Sequence, residues 1–363
     1  MVATMVTRRG FILVLVLWML LALTIAVSAL AAWVSRTTDQ AIVLSDARAD
    51  QLAQTSSLET LKFLFATRPT RVGGLYLGPD PEVMVRQWRS DPFASYRDEY
   101  APGDLPLDDR PVAALGDLVV SIQDEAGLMP LRIPDQSQLA ALLAERGIAA
   151  FQRRTLIERL GDYRLVLPGS FDYSRLRAEY RARNAPPPPG RNLVAPGELL
   201  RIPGWPAEQA EGLASWQDLG SVLHSGRINI NTAPAALLRR LPDLDADQVD
   251  ALLAERAQAP LSGGLAIPAI GGGRSDSLDP FSYTNLPGDS FRITVRPAAG
   301  KRALRYHLRL LPQQEGDAPW RVEMHYPIPA SPARPRESEN ETAGLAPIPH
   351  PLFSASEAAG PAR

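Results

Sequence analysis

An uncharged, strongly apolar run near the start of the chain limits what this sequence can fold into. The run extends from Phe11 to Ser35 and follows directly on the basic pair Arg8-Arg9. About 20 apolar residues in a helix cross the hydrocarbon core of a bilayer, which is about 30 Å thick. Basic residues that flank a span stay on the cytoplasmic side. The sequence therefore predicts a single-pass membrane protein whose N terminus is cytoplasmic and whose bulk, after Arg36, lies outside the cytoplasm.

The junction Arg9-Gly10-Phe11 carries a resemblance to a known class of signal. A short basic leader, a glycine and a phenylalanine that opens an apolar helix resemble the type III signal of type IV pilins and pseudopilins. The resemblance implies that a prepilin peptidase cuts between Gly10 and Phe11. It also implies that residue 11 becomes the N-methylated mature terminus and that the apolar helix is retained.

Three other interpretations of this segment stay open. An uncleaved signal anchor explains the apolar length and the flanking charge, but not the Gly-Phe junction. A cleaved secretory signal fits the small-x-small sequence Ala29-Leu30-Ala31, although such signals have apolar cores of only about 7–15 residues. A twin-arginine export signal fits the sequence Thr7-Arg8-Arg9-Gly10-Phe11-Ile12.

Composition narrows the chemistry that the chain can support. Its 363 residues correspond to about two domains, and a hydrophobic content of 45% supplies a core. The absence of cysteine excludes disulfides, thiolate metal sites and cysteine nucleophiles. A net charge of −2 gives no indication of a nucleic-acid partner. The histidines show no metal-ligand spacing and no serine nucleophile elbow is present, so we expect no catalytic residues and no enzyme; the histidines are His224, His307, His325 and His350.

The helix that begins in the apolar run is expected to continue beyond the membrane. No glycine or proline occurs between Thr37 and Thr67. Leu58, Leu61 and Phe65 recur at the i, i+3, i+7 spacing that places them on one helix face. Proline at position 69 disfavours the helical conformation of the residue before it, so the helix should end near residue 66.

The remaining patterns divide the chain into parts. A strand is predicted at 118–122, helices at 136–146, 150–160, 173–183, 196–201 and 206–218, and strands at 290–296, 302–311 and 321–326. The predicted parts are a leader (1–10), a transmembrane helix part (11–35), a pilin-like helix with the first part of a sheet (36–130), an inserted α-helical domain (131–225), a helix-hairpin-helix-like subdomain (226–262), the C-terminal part of the sheet (263–328) and a disordered tail (329–363).

The segment Gly226 to Pro234 is predicted to run from a short strand into a helix. Asn231 or Thr232 would cap that helix, and Pro234 would stand just inside it. A second helix from Ala246 completes a helix-hairpin-helix pattern. The intervening turn, Leu241-Pro242-Asp243-Leu244, lacks the glycine of DNA-binding hairpins and adds an acid that repels phosphate. We therefore interpret this motif as structural, with no nucleic-acid partner.

Together these stretches resemble the protein K family of type II secretion systems. The residues that carry the resemblance are Arg9-Gly10-Phe11, Gly226-Arg227-Ile228-Asn229-Ile230-Asn231-Thr232-Ala233-Pro234 with Leu237 and Leu241-Pro242, and Ser290-Phe291-Arg292-Ile293. The resemblance implies an α+β fold, in which a pilin-like long N-terminal helix packs on a small antiparallel sheet that carries a large, mostly α-helical insertion of the helix-hairpin-helix or SAM-like type.

The same resemblance implies a function. The chain would be a minor pseudopilin at the tip of the periplasmic pseudopilus, in complex with I- and J-type minor pseudopilins, where it initiates or caps the filament for export across the outer membrane. Most pilins carry glutamate at the fifth mature position, whereas this chain has Leu15. A carboxylate in the membrane is tolerated only when it is paired, so its absence fits a subunit with none ahead of it. A minor pilin of a type IV pilus or competence system, and a signal-anchored periplasmic enzyme, remain alternatives.

One loop supplies oxygen ligands of the kind that calcium prefers. Asp276 and Asp279 are the candidate ligands, in a segment that continues to Asn285. Acidic loops are usually only solvated, so the alternative is no cofactor. Three tryptophans, Trp88, Trp205 and Trp216, are expected to anchor the core rather than to bind a ligand.

Overall fold

The computed structural model describes residues 11–78, 103–116, 118–206, 214–224, 226–262, 278–297, 303–312, 318–328 and 345–354. The chain divides after Thr55 into two compact units. One α-helix, α1 (Phe11–Thr67), supplies the described part of the first unit and the beginning of the second. The long helix predicted from the sequence is confirmed, and it ends immediately before Arg68-Pro69, as expected from the proline.

The first unit exposes its apolar side chains. Leu17, Ile25 and Trp33 are 59%, 61% and 62% exposed, and farther along Ile42 and Leu52 are 54% and 68% exposed. Several threonines of this helix satisfy their hydroxyl groups on backbone carbonyls three or four residues earlier, as Thr37 does with the carbonyl oxygen of Val34 at 2.8 Å. These threonine hydroxyls are therefore satisfied within the helix, and among the described residues its apolar side chains stay exposed.

In the second unit the end of α1 packs through the face predicted from its spacing. Leu58, Leu61 and Phe65 are 8%, 0% and 3% exposed. The ring of Phe65 stacks on that of Phe291 with the centroids 4.4 Å apart. On the neighbouring face, the Lys62 ammonium lies 5.8 Å above the ring of Trp320.

The main sheet has five strands, in the order β12-β11-β10-β5-β4, and every neighbouring pair is antiparallel. Its strands are β4 (Asp108–Ala113), β5 (Leu118–Asp124), β10 (Ser290–Pro297), β11 (Ala303–Leu310) and β12 (Trp320–Ile328). A smaller antiparallel sheet consists of β1 (Thr70–Arg71), β2 (Gly74–Leu75) and β3 (Leu105–Pro106). The sequence predicts β5 and the β10–β12 meander but not the smaller sheet, whose two-residue strands have no measurable period.

The long insertion leaves the main sheet after β5 and returns at β10, which pair with each other. Its described helices are α2 (Gln136–Glu145), α3 (Ala150–Leu165), α4 (Phe171–Ala182), α5 (Trp216–Leu219), α6 (Ala235–Leu238) and α7 (Ala246–Gln258). Its short strands form two parallel pairs, β6 (Met129–Pro130) with β7 (Gly220–Ser221), and β8 (Ile228–Asn229) with β9 (Tyr283–Thr284). Single turns of 3₁₀ helix occur at Glu125–Gly127 and Pro196–Arg201. The predicted α+β fold with a helical insertion is confirmed.

One hydrophobic core runs through the insertion from Met129 to Tyr283. The rings of Trp205 and Trp216 are 5.4 Å apart within it, and the Arg146 guanidinium lies 3.9 Å from the centre of the Trp216 ring. The core role expected of these two tryptophans is confirmed, whereas Trp88 lies outside the described residues. Because the core is continuous, the parts predicted at 131–225 and 226–262 share one interior.

The predicted cap of α6 was wrong, and the helix predicted at 206–218 lies partly outside the described residues. Neither Asn231 nor Thr232 caps α6: Pro234 occupies the cap position and makes no side-chain cap bond, because both polar side chains are engaged elsewhere in the core. The helix predicted at 206–218 is described only at its end, where Ser215 caps α5 through the amide of Asp218 at 3.1 Å.

The tail predicted to be disordered from residue 329 is ordered in the part that is described. Pro347 forms a parallel bridge with Ala113 of β4, and the amide of Ile348 donates to the Ala113 carbonyl oxygen at 3.1 Å. A short helix, α8 (Pro351–Ser354), follows. Ile348 and Phe353 are 3% and 8% exposed. The segment thus covers the edge strand β4, whose free backbone groups favour such an addition. The apolar residues of this segment are isolated among prolines, so the sequence shows no helix or strand periodicity that would predict its ordered structure.

Replacing Phe65 with alanine should lower the free energy of unfolding of the second unit by about 3–5 kcal/mol, since it removes a fully buried ring and its stacking on Phe291. Phe63, on the same helix turn, is 49% exposed, so Phe63→Ala is a matched control with an expected loss below about 1 kcal/mol. Chemical denaturation of the detergent-solubilised full chain, followed by circular dichroism, measures both. Equal losses would show that the helix end is not packed as described.

Candidate functional site

The main sheet buries a polar face as well as an apolar one. Residues directly opposite each other on antiparallel strands point to the same face, and β10 and β11 pair polar with polar side chains: Arg292 with His307 and Thr294 with Arg305. We call the following set the polar sheet face: Ser121, Gln123, Ser290, Arg292, Thr294, Arg305, His307 and Arg309. Arg292 and His307 are 1% and 2% exposed. The other face, which includes Phe291 and Ile293, is apolar.

Arginines of the polar sheet face hold residues 217–223 in the middle of the insertion, mainly by their backbone carbonyl oxygens. Arg292 donates through Nη1 to the carbonyl oxygens of Gln217 and Asp218, at 2.8 and 3.2 Å. Arg305 donates through Nη2 to the Asp218 carboxylate at 2.9 Å, and Arg309 donates to the Leu223 carbonyl oxygen. Buried carbonyl groups without partners are costly, so these contacts fix how the insertion lies on the sheet.

A buried acid lies beside this face, in the 3₁₀ turn that follows β5. Glu125 accepts a hydrogen bond from His307 Nδ1 at 2.5 Å and another from the Ser221 hydroxyl. The other ring nitrogen of His307 lies 3.1 Å from the Tyr326 hydroxyl. Burial acts to raise the pKa of Glu125, but the hydrogen bond and charge of His307, the bond from Ser221 and the charge of Arg292 outweigh it and lower that pKa. The glutamate is therefore held ionised.

This arrangement joins serine, acid and histidine in the wrong order for a hydrolase. In a catalytic triad the histidine stands between the serine and the acid, so that it can take the serine proton. Here Glu125 stands between Ser221 and His307, and Ser221 is 0% exposed. The group stabilises the junction of sheet and insertion and presents no accessible nucleophile.

The neighbouring acid, Asp124, ties the sheet to the segment around Asn229. One carboxylate oxygen accepts from the amides of Ala126 and Gly288 at 3.0 and 3.1 Å. The other accepts from Asn229 Nδ2 at 2.8 Å and from the Thr232 hydroxyl at 3.0 Å. Asp124 is 0% exposed, and burial raises its pKa from 3.8 to about 6 although all four hydrogen bonds lower it.

Asn231 joins the same segment to two later parts of the chain. Its Nδ2 donates to the carbonyl oxygens of Leu261 and Asn285 at 3.1 and 3.0 Å, and its Oδ1 accepts from the Leu261 amide at 2.8 Å. Thr232 of the same segment packs closely on the turn after β5. Gly127 leaves the space for it, since a Cβ there would lie 2.7 Å from the carbonyl carbon of Thr232. Residues 229–232 are thus a polar connector between sheet, insertion and β9.

The polar connector lies in the part of the chain that matches a known family. Residues 228–273 match the family model described as "Type II secretion system (T2SS), protein K". The resemblance to protein K is confirmed. Of the matched residues, the structure describes 228–262. This part contains the polar connector and the hairpin of α6 and α7.

Comparison with solved structures finds a similar chain in the crystal structure of the GspK-GspI-GspJ complex from the enterotoxigenic Escherichia coli Type 2 Secretion System. The sequence identity is 16% and the TM-score is 0.45; the similarity covers 81% of this chain and 99% of that chain. No curated protein matches the sequence.

The structure places one of the two calcium candidates and does not describe the other. Asp279 is exposed, and its carboxylate accepts from the Phe281 amide at 3.0 Å and from the Ser282 hydroxyl at 2.8 Å within its own turn. Asp276 lies outside the described residues. Within the described ranges no group of three or more histidines, aspartates or glutamates is placed to hold a metal ion. Calcium binding stays a prediction.

The structure describes the apolar anchor helix but only one side of the predicted cleavage junction. Gly10 lies outside the described residues, and Phe11 is described only as the first residue of α1. The apolar part of α1 reaches a mean hydropathy of 2.7 over an 18-residue window, none of which is buried against the rest of the chain. This helix fits a single-pass membrane anchor.

Sequence reasoning missed the two acids that organise the site. Asp124 and Glu125 follow the strand predicted at 118–122, where the sequence Asp-Glu-Ala-Gly is typical of an exposed turn, whereas both are fully buried. The alternation Arg305-x-His307-x-Arg309 was the available signal, since a strand pattern of period two defines a face. It does not tell whether a polar face meets water or another domain.

The raised pKa of Asp124 predicts a pH-dependent stability. The folded protein binds this proton more tightly than the unfolded chain does, so the stabilisation is fully present below the unfolded pKa of 3.8 and is lost as the pH rises through about 6. The unfolding free energy of the wild type, measured relative to Asp124→Asn, should therefore fall by about 3 kcal/mol between about pH 3.5 and pH 7.

Asp135, the cap of α2, is the matched control for this measurement. Burial acts to raise its pKa, but hydrogen bonds from Ser137 and Gln138 outweigh it and lower the pKa. The wild type relative to Asp135→Asn should thus gain stability as the pH rises through the acid range, below about pH 5, and should keep that gain up to pH 7. Urea denaturation at each pH gives both curves, and a flat Asp124 difference would contradict the burial of an ionisable group there.

Proposed function

We propose that this protein is a minor pseudopilin of a type II secretion system, which acts at the tip of the periplasmic pseudopilus to initiate or cap filament assembly. The observation that carries the proposal is the protein K match over residues 228–273, because the described part of that segment contains the polar connector that joins the insertion to the sheet. The function we propose is one of assembly and requires no catalysis.

The anchor helix supports this proposal through the surface that it leaves uncovered. Ile42, Val43 and Leu44 follow the apolar run and are 54%, 66% and 60% exposed. Apolar area removed from water contributes about 25 cal/mol per Å², so helices of neighbouring subunits that cover these residues would be stabilised. The partners we propose are I- and J-type minor pseudopilins, with the inner membrane before assembly and a prepilin peptidase during maturation.

The lack of a carboxylate early in the helix supports a terminal position. Leu15 stands where most pilins carry a glutamate, and a membrane-embedded carboxylate needs a partner charge. A subunit at the end of a filament has no preceding subunit to provide that charge. We infer that the N terminus is cytoplasmic and the folded part periplasmic, in agreement with the Arg8-Arg9 pair.

The site of proteolytic cleavage distinguishes a pilin-type signal from the other interpretations of the apolar segment. N-terminal sequencing of the membrane-extracted protein should find a mature start at Phe11, and Gly10→Val should leave the chain uncut. Ala31→Leu is the matched control: it would block a secretory peptidase that cuts after Ala31, but it should leave the start at Phe11. A start at Ala32 or at Met1 would exclude the pilin class.

Assembly distinguishes a minor pseudopilin from an anchored enzyme. When the full chain is co-expressed with the I- and J-type pseudopilins encoded in the same genome, we expect the three to co-purify in detergent. The triple variant Ile42→Gln, Val43→Gln, Leu44→Gln should reduce the recovered partners at least about tenfold through lost apolar burial. Phe151→Gln changes a side chain of α3 that is 73% exposed and should leave recovery unchanged. Failure of the unaltered chain to co-purify would contradict the proposal.

A further inference from the structure

Large apolar side chains are exposed where α3 ends, in the turn that follows and where α4 begins. Leu165, Leu167 and Phe171 are 71%, 64% and 90% exposed, whereas Val166 between the first two packs against the core. We call these three residues with Arg132 and Arg164 the turn patch. Scattered exposed apolar residues are ordinary, but several on one short turn mark an interaction surface.

The turn is held rigidly in this exposed conformation. The Val166 amide donates to the Asp162 carbonyl oxygen and the Ser170 amide to that of Leu167, both at 3.2 Å. The Ser170 hydroxyl caps α4 through the Tyr173 amide at 3.1 Å. Gly190 packs against the turn so closely that a Cβ there would lie 2.7 Å from the Val166 carbonyl oxygen. A fixed backbone keeps Leu165 and Leu167 from turning inward, so their exposure is built into the fold.

Two arginines contribute positive charge to the turn patch, and Arg164 directly precedes Leu165. Arg164 donates through Nε and Nη2 to Asn192 Oδ1 at 3.2 and 3.1 Å. Its pKa is lowered first by burial and then by the like charge of Arg132. In the described part of the chain no carboxylate lies within ion-pair distance of either. A bound anion would relieve the repulsion between these two positive charges.

The surrounding sequence is also basic. Residues 150–206 contain ten arginines and five acidic residues, so they carry a net charge of +5 in a chain whose net charge is −2. All the basic residues there are arginine, whose guanidinium binds phosphate groups in a bidentate manner. The charge is thus complementary to a phosphate-rich, anionic surface.

We propose that the turn patch docks on an anionic phospholipid surface, with Leu165, Leu167 and Phe171 entering the interface and Arg132 and Arg164 binding lipid phosphates. Apolar side chains that protrude from a turn suit a deformable bilayer interface, where such groups are buried about 5–10 Å deep. They would not suit a preformed rigid partner unless that partner offered a matching cavity. The inference goes beyond the proposed assembly function and does not depend on it.

Single-cysteine labelling tests this proposal, because the chain contains no cysteine. The full chain with Phe171→Cys, labelled with the environment-sensitive dye NBD and held in phosphatidylcholine nanodiscs, is mixed with vesicles of phosphatidylglycerol and phosphatidylcholine at equal amounts. We expect a blue shift of the NBD emission, and quenching when the vesicles carry doxyl-labelled lipid. Vesicles of phosphatidylcholine alone should give little shift, and high salt should reverse the shift because it screens exposed charges.

Two variants sharpen the test. Adding Arg132→Gln and Arg164→Gln to the labelled chain should weaken the apparent vesicle affinity by about 25-fold, since each basic residue near an anionic surface contributes about a fivefold factor. Phe281→Cys is the matched control: Phe281 is also 90% exposed, but it lies in the turn before β9, and its label should not respond.

Three results would overturn the proposal. One is an unchanged NBD spectrum at position 171 with anionic vesicles. Another is an equal response at positions 171 and 281, which would show non-specific adsorption. The third is a shift produced by a soluble acidic polypeptide such as polyglutamate but not by vesicles, which would assign the turn patch to an acidic protein partner. Circular dichroism of each variant checks that the fold is retained.

Discussion

The hydrogen bonds between sheet arginines and the backbone of residues 217–223 are the contacts on which the rest of the structure depends. An ordinary small sheet buries one face and leaves the other to water. Here the helix end covers the apolar face through Phe65 and Phe291, and the insertion covers the opposite face, where Arg292 reaches the Gln217 carbonyl oxygen. On a covered polar face, donors that find acceptors are favoured, because a buried donor without one is costly. The directional bonds of the guanidinium groups therefore set the position of the insertion more narrowly than apolar contacts would.

The insertion is compatible with the sheet because its two ends meet at neighbouring strands. Asp124, where β5 ends, stands opposite Phe291 at the start of β10. A long segment that leaves and returns at adjacent points adds little constraint on the sheet, and the entropy of closing such a loop grows only slowly with its length. The polar connector then fastens the two together, since Asn229 and Thr232 donate to Asp124 from within the insertion. One buried carboxylate thus joins elements that are far apart in the sequence.

Much of this fold could be predicted from the sequence, for reasons that are local. The absence of glycine and proline defines α1, the spacing of Leu58, Leu61 and Phe65 defines its packed face, and alternation defines β10 and β11. The polar sheet face could not be predicted as buried, because the alternation of Arg305 and His307 is the same whether water or protein covers it. The capping role expected of Thr232 failed for a related reason: its hydroxyl is taken by Asp124, a partner more than a hundred positions earlier in the chain.

The two acids at the end of β5 show how position within one turn decides the behaviour of a charge. Both are fully buried, but Glu125 meets a histidine and lies within the field of Arg292, whereas Asp124 meets only neutral donors. Hydrogen bonds from neutral groups offset burial only in part, while a nearby cation also supplies direct attraction. The pKa of Glu125 is consequently lowered and that of Asp124 is raised to about 6. A junction built in this way combines a glutamate whose pKa is lowered with an aspartate that responds to acidity, and this aspartate accepts hydrogen bonds from Asn229 and Thr232 in the segment that matches the protein K family model.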